Sequence, residues 1–152
     1  MMPEFIPKKE FMLECLRLAR LALEQGEVPV GAVVELDGKI IGYGFNQRES
    51  LNDPTAHAEM LAIKMASKNL NSWRLTNANL YVSLEPCAMC AGTAVNARIK
   101  RVIFGAHDET SGCCGSALDF SELGNTHKTL MYRGYMESEC AEILREFFKS
   151  IR

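Results

Sequence analysis

The alternation of short apolar runs with amphipathic helical segments is the feature that most restricts how this chain can fold. Periodicity and turn residues predict, in chain order, a helix at about 8–25, strands at 28–36 and 39–45, a helix at about 54–70, a strand at 80–84, a helix at 87–96, strands at 101–105 and about 129–135, and a helix over 140–151. The Asp37-Gly38 pair between the first two strands is typical of a hairpin. This order predicts a layered α/β domain, with helices on both faces of a mixed sheet.

Length and composition are those of a single globular domain spanning residues 1–152. Of the 152 residues, 47% are apolar and 24% are charged, which excludes a mostly disordered chain. The 17 basic and 19 acidic side chains give a formal charge of −2. That balance excludes a strongly basic nucleic-acid module, although a local basic patch remains compatible with it.

The chain has no features of an exported or membrane-embedded protein. It has no apolar run of about 18 residues, the length of a membrane-spanning helix. Charged residues such as Glu4, Lys8 and Glu10 interrupt the N-terminal region, unlike the apolar stretch of a signal peptide. We therefore expect a cytoplasmic protein with no membrane partner, whose six cysteines are thiols or metal ligands rather than disulfides.

Two short motifs carry potential metal ligands. His57 and Glu59 form an H-x-E motif, and Cys87 and Cys90 form a P-C-x-x-C motif with Pro86. Each motif lies at the start of a predicted helix, where the helix dipole favours a thiolate. His57 and Glu59 are about 200° apart around a helix, so both can reach one metal ion only if it lies beyond the helix end. The motifs therefore predict a metal at the junction of two helix N-termini.

One imidazole and two thiolates are suitable ligands for zinc. Three protein ligands are typical of a catalytic zinc, which keeps a fourth position for water and lowers the pKa of that water to about 7. Glu59 would then be free to move protons as a general acid and base. From the residues alone, a closed structural zinc with a fourth ligand and a redox pair of Cys87 and Cys90 remain alternatives.

The two motifs together resemble the signature of zinc-dependent nucleobase deaminases. Longer segments are similar to those of the bacterial tRNA-specific adenosine deaminases, in the cytidine and deoxycytidylate deaminase superfamily. These segments are Val28–Val34, Asn52–Glu59, Leu80–Gly92, Arg98–Ala106 and Cys140–Phe148. The resemblance covers about residues 8–150, nearly the whole chain.

The resemblance implies a cytidine-deaminase-like fold, a three-layer α/β/α sandwich around a five-stranded mixed sheet. It implies one Zn2+ per chain, held by His57, Cys87 and Cys90, with Glu59 as the catalytic proton shuttle. The implied reaction is hydrolytic deamination of adenosine to inosine at the wobble position of the tRNA anticodon. The implied partners are a tRNA anticodon stem-loop and a second copy of the chain, as a homodimer.

The resemblance also suggests substrate-binding residues, each with a structural alternative. Asn46 would contact the base, or would simply be a turn residue at the end of the second strand. Asp108 would lie near the ribose of a flanking nucleotide, or would be a solvated loop acid. Phe148 would stack on a splayed base, or would belong to the core of the last helix. Phosphate contacts are expected from lysines and arginines gathered around the site, with candidates at Arg98, Lys100, Arg101 and Lys149.

Some features separate the competing functions or remain ambiguous. A deaminase of the same fold acting on guanine, cytosine or a nucleotide is the nearest alternative, and a non-catalytic RNA-binding subunit would not need Glu59.

The helix after Cys87 contains Ala88, Ala91, Gly92, Ala94 and Ala97, which suit close packing against a second subunit or against the chain's own sheet. His107 stands where related sequences often carry arginine, and Cys113 and Cys114 are interpreted as loop thiols.

Overall fold

A mixed five-stranded sheet forms the centre of the computed structural model, which describes residues 4–123 and 127–151. The ends of the predicted domain, residues 1–3 and 152, lie outside the described residues. The elements are α1 (Lys9–Glu24), β1 (Gly31–Leu36), β2 (Lys39–Phe45), α2 (Ala58–Leu70), β3 (Asn79–Leu84), α3 (Ala88–Asn96), β4 (Arg101–Ala106), a 3-10 turn (Phe120–Glu122), β5 (Leu130–Tyr132) and α4 (Glu137–Ser150). The strand order is β2-β1-β3-β4-β5. β1 is antiparallel to both its neighbours, whereas β3, β4 and β5 are parallel.

Side chains alternate across the sheet and fill two separate cores. Val33, Tyr81 and Ile103 point to the face covered by α1 and α4, where they pack with Leu18 and Cys140. On the opposite face, strand residues that include Val34, Leu80 and Val102 pack against the alanines of α2 and α3. These two cores confirm the predicted three-layer α/β/α sandwich around a five-stranded mixed sheet.

The hairpin has the expected turn, but the second predicted helix begins later than Pro54. Asp37 and Gly38 have φ of 52° and 84°, the left-handed values that a two-residue hairpin turn requires. α2 starts at Ala58 because Asp53 closes a local turn, its Oδ1 accepting hydrogen bonds from the backbone N–H and the hydroxyl of Thr55. The chain therefore reaches His57 in an extended conformation rather than a helical one.

The apolar stripe predicted for the last helix is only partly core. Cys140 and Ile143 are buried, whereas Phe148 is 46% exposed and Ile151 is 65% exposed. Only the first half of α4 packs over the sheet, so the later members of the stripe lie on the surface. No helix in the described ranges combines the length and the hydropathy needed to cross a membrane.

Candidate metal centre and active-site cavity

The N-termini of α2 and α3 bring the two sequence motifs together. His57 is the N-cap of α2 and Cys87 is the N-cap of α3, and Cys90 lies in the first turn of α3. Neither side chain makes an N-cap hydrogen bond, so both are free to point into the space between the helix ends. The predicted junction of two helix N-termini is thus present.

The spacing of the three ligand atoms fits a tetrahedral zinc ion. The Nδ1 atom of His57 lies 3.7 Å from the Sγ of Cys87 and 3.6 Å from the Sγ of Cys90. Zinc bonds of about 2.3 Å to sulfur and 2.0–2.1 Å to nitrogen, at tetrahedral angles, place the nitrogen and sulfur about 3.6 Å apart. In the part of the chain that the structure describes, no fourth His, Cys, Asp or Glu joins this group, which favours an open catalytic site over a closed structural one.

Protonation of the two thiols follows from their contact. Hydrogen bonds from Cys90 and His57 lower the pKa of the Cys87 thiol to about 3. The same contact with Cys87, together with burial, raises the pKa of Cys90. A thiolate is therefore already favoured at Cys87, the form in which cysteine binds a metal. All six cysteines are free, as the sequence predicted, and Cys113 and Cys114 are buried thiols outside the ligand group.

Glu59 lies beside the three ligands and faces a cavity of about 330 Å³. Its side chain is 4% exposed, and burial raises the pKa of its carboxyl to about 7, although its own backbone N–H and His57 favour the charged form. A carboxyl group with a pKa near neutrality is suited to accept and return a proton. The walls of the cavity come from the loop before β1, the end of β3 and the segments that follow β2 and β4. They include Val28, Leu84, Asn46 and Ser111, respectively for the first two and the last two of these parts.

Asn46 lines this cavity and has one polar side-chain atom that lacks a partner among the described residues. Its side chain is 6% exposed, and its Nδ2 donates a hydrogen bond to the carbonyl of Val28 at 3.2 Å. Its Oδ1 is buried without a hydrogen-bond partner among the described residues. A buried acceptor in this state is unfavourable unless a ligand supplies the donor. The structure thus places Asn46 at the cavity, and its contact with a base stays a prediction.

A second cleft of about 380 Å³ adjoins the first and contains the other two predicted binding residues. Asp108 lines both cavities, and Phe148 lines the second, together with Leu144 and His107. Phe148 is therefore neither core nor remote from the site. The ring of His107 lies near two carboxylates, 3.8 Å from Glu85 and 3.9 Å from Glu137.

The basic residues are distributed differently from the expectation. Arg98, Lys100 and Arg101 follow the C-terminus of α3 or begin β4, so they lie at the sheet edge opposite the N-terminus of α3. None of these three residues lines the cavity, because α3 leads away from it to the start of β4. Their phosphate contacts stay a prediction. Lys149 lines a shallow groove together with Phe148. The basic side chain inside the cavity is Arg48, which sequence analysis missed.

The small residues of α3 pack mainly within the chain. Ala91, Ala94 and Ala97 are buried in the core between α3 and the sheet. Of the two interpretations of this cluster, packing against the chain's own sheet is therefore confirmed for these three residues.

Comparisons with known proteins agree with this site. The family model of MafB19-like deaminases matches residues 6–152. A tRNA-specific adenosine deaminase of Agrobacterium fabrum is 47% identical over 95% of this chain and 96% of the relative, and one of Bacillus subtilis is 44% identical over 93% and 89%. A solved structure from a study of A-to-I editing by tRNA:A34 deaminases superimposes with a TM-score of 0.85 at 46% identity, covering 90% of this chain and 99% of the other. With this similarity along nearly its whole length, the chain belongs to the family of tRNA-specific adenosine deaminases.

Proposed function

We propose that this protein is a zinc-dependent enzyme that hydrolyses adenosine to inosine at the wobble position of a tRNA anticodon. The observation that carries the proposal is a three-ligand His/Cys/Cys centre with a buried carboxylate, Glu59, in a cavity large enough for a nucleobase. The family's relatives, named for deamination of tRNA adenosine, support the choice of substrate.

His57, Cys87 and Cys90 would hold one zinc ion. Bound there, zinc would supply a water molecule that is acidic enough to give hydroxide near neutral pH. The positive ends of the α2 and α3 dipoles meet at the two thiolates and lessen the repulsion between their charges.

Glu59 would move the protons of the reaction. Its carboxylate accepts a proton from the attacking water and delivers it to N1 of adenine while the water oxygen bonds to C6. It then helps to transfer a proton to the amino group, which leaves as ammonia, and the carbonyl that remains is that of inosine. Because Glu59 is buried beside the ligands, bulk water does not compete for these transfers.

The cavity provides contacts for more than a free base. The Oδ1 of Asn46, which has no partner among the described residues, would accept a hydrogen bond from the substrate, either from the amino group or from a ribose hydroxyl. Arg48 places a cation in the same cavity, where it can pair with a phosphate. The adjoining cleft, with Asp108 and the exposed ring of Phe148, is suited to a flanking nucleotide. A site with these two compartments favours an oligonucleotide over a free nucleobase.

The substrate must present an unpaired adenosine. The reacting base has to enter a cavity that a duplex cannot reach, and bases in an anticodon loop can be splayed at a cost of only a few kcal/mol. Since the chain carries a formal charge of −2, we expect few phosphate contacts and a shallow dependence of binding on salt.

The deciding experiment compares four substrates with zinc-loaded protein. A stem-loop with adenosine at the wobble position should react, whereas the same sequence fully paired, free adenosine, and free guanine or cytosine should react very poorly. Sequencing of treated bulk tRNA should show A-to-I change at the wobble position. If free guanine or cytosine were turned over faster than the stem-loop, the small-molecule deaminase would replace this proposal.

We also propose that the enzyme works as a homodimer in the cytoplasm. The dimer follows from the family resemblance rather than from the small residues of α3. Light scattering at micromolar concentration should give about twice the chain mass of 16.9 kDa. A mass of one chain would contradict the dimer without affecting the proposed chemistry.

A further inference from the structure

Glu85 is a buried acid next to the metal motif that the proposed chemistry does not use. It follows β3 directly and is 2% exposed. Its backbone N–H donates to the carbonyl of Ala106, which continues the pairing of β3 with β4 to the rim of the cavity. Its side chain therefore lies under the segment that leaves β4.

The carboxylate of Glu85 binds this segment at both ends. Its Oε1 accepts from the backbone N–H of Asp108 at 3.1 Å and from the hydroxyl of Ser116 at 2.5 Å. Its Oε2 accepts from the N–H groups of Cys114 and Ser116, both at 3.0 Å. One side chain thus holds the start and the end of the loop 108–116.

The middle of the loop is folded tightly onto the same carboxylate. A Cβ atom on Gly112 would lie 2.3 Å from the Cδ of Glu85 and 2.5 Å from the carbonyl oxygen of Asp108, so only glycine fits. The Oδ1 of Asp108 accepts from the N–H groups of Thr110 and Ser111, which fixes the first turn of the loop. Asp108 and Ser111 are the two residues of this loop that line the main cavity.

We propose that Glu85 is a positioning residue, whose carboxylate holds the 108–116 loop so that Asp108 and Ser111 form one wall of the substrate cavity. The inference rests on the proposed function, because it assigns to Glu85 a role in binding the flanking part of that substrate.

A carboxylate is suited to this position because the four groups that hydrogen-bond it, three backbone N–H groups and the Ser116 hydroxyl, all act as donors to it. Glutamine at position 85 has the same shape but only one acceptor oxygen. When the NH₂ group of the glutamine takes the place of Oε1, it can donate to the Ser116 hydroxyl. In this orientation only the Asp108 N–H loses its acceptor. In the reverse orientation two N–H groups, those of Cys114 and Ser116, lose their acceptor, so this orientation is less favourable. Glu85→Gln should thus release the Asp108 end of the loop.

The test compares Glu85→Gln with the wild-type enzyme on the wobble-adenosine stem-loop. We expect KM to rise about tenfold, which corresponds to about 1.4 kcal/mol of lost binding, with kcat within about threefold and zinc content unchanged. Hydrogen exchange of residues 108–116 should become faster in the variant, without any substrate. In an Asp108→Ala background, Glu85→Gln should cause no further rise in KM, since both changes act on one wall.

Glu35→Gln is the matched control, because Glu35 is also buried but bonds Asn79 at the opposite end of β1. It should leave KM unchanged. If Glu85→Gln does not fold, Gly112→Ala keeps the carboxylate but forces it apart from the Asp108 carbonyl, which displaces the same loop and should raise KM at least tenfold.

Three outcomes would overturn the positioning role. The first is an unchanged KM together with unchanged hydrogen exchange of the loop in Glu85→Gln, and the second is an unchanged KM in Gly112→Ala. The third is loss of zinc or of kcat at a normal KM in Glu85→Gln, which would mean that Glu85 supports the metal site. If the wild type itself fails on the stem-loop, the proposed function fails, and hydrogen exchange alone still decides whether Glu85 holds the loop.

Discussion

Replacing Asn46 with alanine should weaken substrate binding while changing the stability of the folded protein only slightly. Asn46 lines the cavity, its Nδ2 donates to the Val28 carbonyl, and its Oδ1 is buried without a hydrogen-bond partner among the described residues. The substitution removes one satisfied hydrogen bond, worth about 0.5–1.5 kcal/mol, and one unsatisfied acceptor, which costs about 1–3 kcal/mol when buried. These effects on the folded protein oppose each other. With central values of about 1 kcal/mol for the bond and about 2 kcal/mol for the acceptor, the net change of about 1 kcal/mol corresponds to a shift in melting temperature of about 2–4 °C.

The Asn46→Ala substitution should only weaken the binding of the substrate, because no opposing effect is expected there. If Asn46 binds the substrate as proposed, a donor on the nucleoside satisfies its Oδ1 and relieves the cost of this buried acceptor, and the gain is absent in the alanine variant. A loss of about 1–3 kcal/mol corresponds to a fall in kcat/KM of about 5- to 150-fold. The expected result is a protein of nearly normal stability with a substantially weaker transition-state interaction.

The assay pairs deamination rates on the wobble-adenosine stem-loop with thermal melting. Asn79→Ala is the matched control, since Asn79 is buried to a similar extent but both of its side-chain polar groups are bonded, to Glu35 and Arg101, away from the cavity. It should lower the melting temperature and leave kcat/KM of the folded enzyme unchanged. A kcat/KM for Asn46→Ala within twofold of the wild type would refute the argument.

Three further substitutions test the metal centre, the proton shuttle and the sheet packing. Cys87→Ala should lose zinc and activity together in metal analysis and rate assays, and stoichiometric zinc would indicate other ligands. Glu59→Gln should keep zinc and fold but lose about 10²–10⁴-fold in kcat, since one residue serves several proton transfers; near-normal turnover would assign the protons to another group. Gly42→Ala should lower the free energy of unfolding by about 1–3 kcal/mol or more, because the added Cβ would lie 2.2 Å from the carbonyl oxygen of Ala62. Gly92→Ala is the control in the same melting experiment and should be tolerated, because its Cβ would meet nothing closer than 3.8 Å.

The meeting of the three candidate metal ligands could be predicted because its determinants are local. His57, Cys87 and Cys90 each lie within one turn of a helix start, where side chains can reach the space beyond the helix end. Their meeting needs only that the two helices begin at the same edge. The hairpin was equally predictable, since the Asp37-Gly38 pair fixes its turn.

The rest of the site depends on contacts between distant segments, which periodicity does not encode. Phe148 belongs to an amphipathic stripe, and only the docking of α4 decides that this ring lies at the second cleft rather than in the core. Arg48 has no motif around it, although its place just after a strand was a usable signal. Glu85 is part of a recognised motif, but its four donors come from residues 23 to 31 positions later.

The direction of the strands explains why some predicted residues converge and others do not. β1 is antiparallel to both β2 and β3, so β2 runs parallel to β3, and also to β4. The C-terminal ends of these three strands therefore lie at one edge, and each is followed by a part of the cavity: Asn46 after β2, Glu85 and Cys87 after β3, and Asp108 after β4. This is the edge at which ligands bind in open α/β sheets. Arg98 and Lys100 precede β4 and so emerge at the other edge, whereas Arg48, which follows β2, is the arginine that lines the cavity in the described residues.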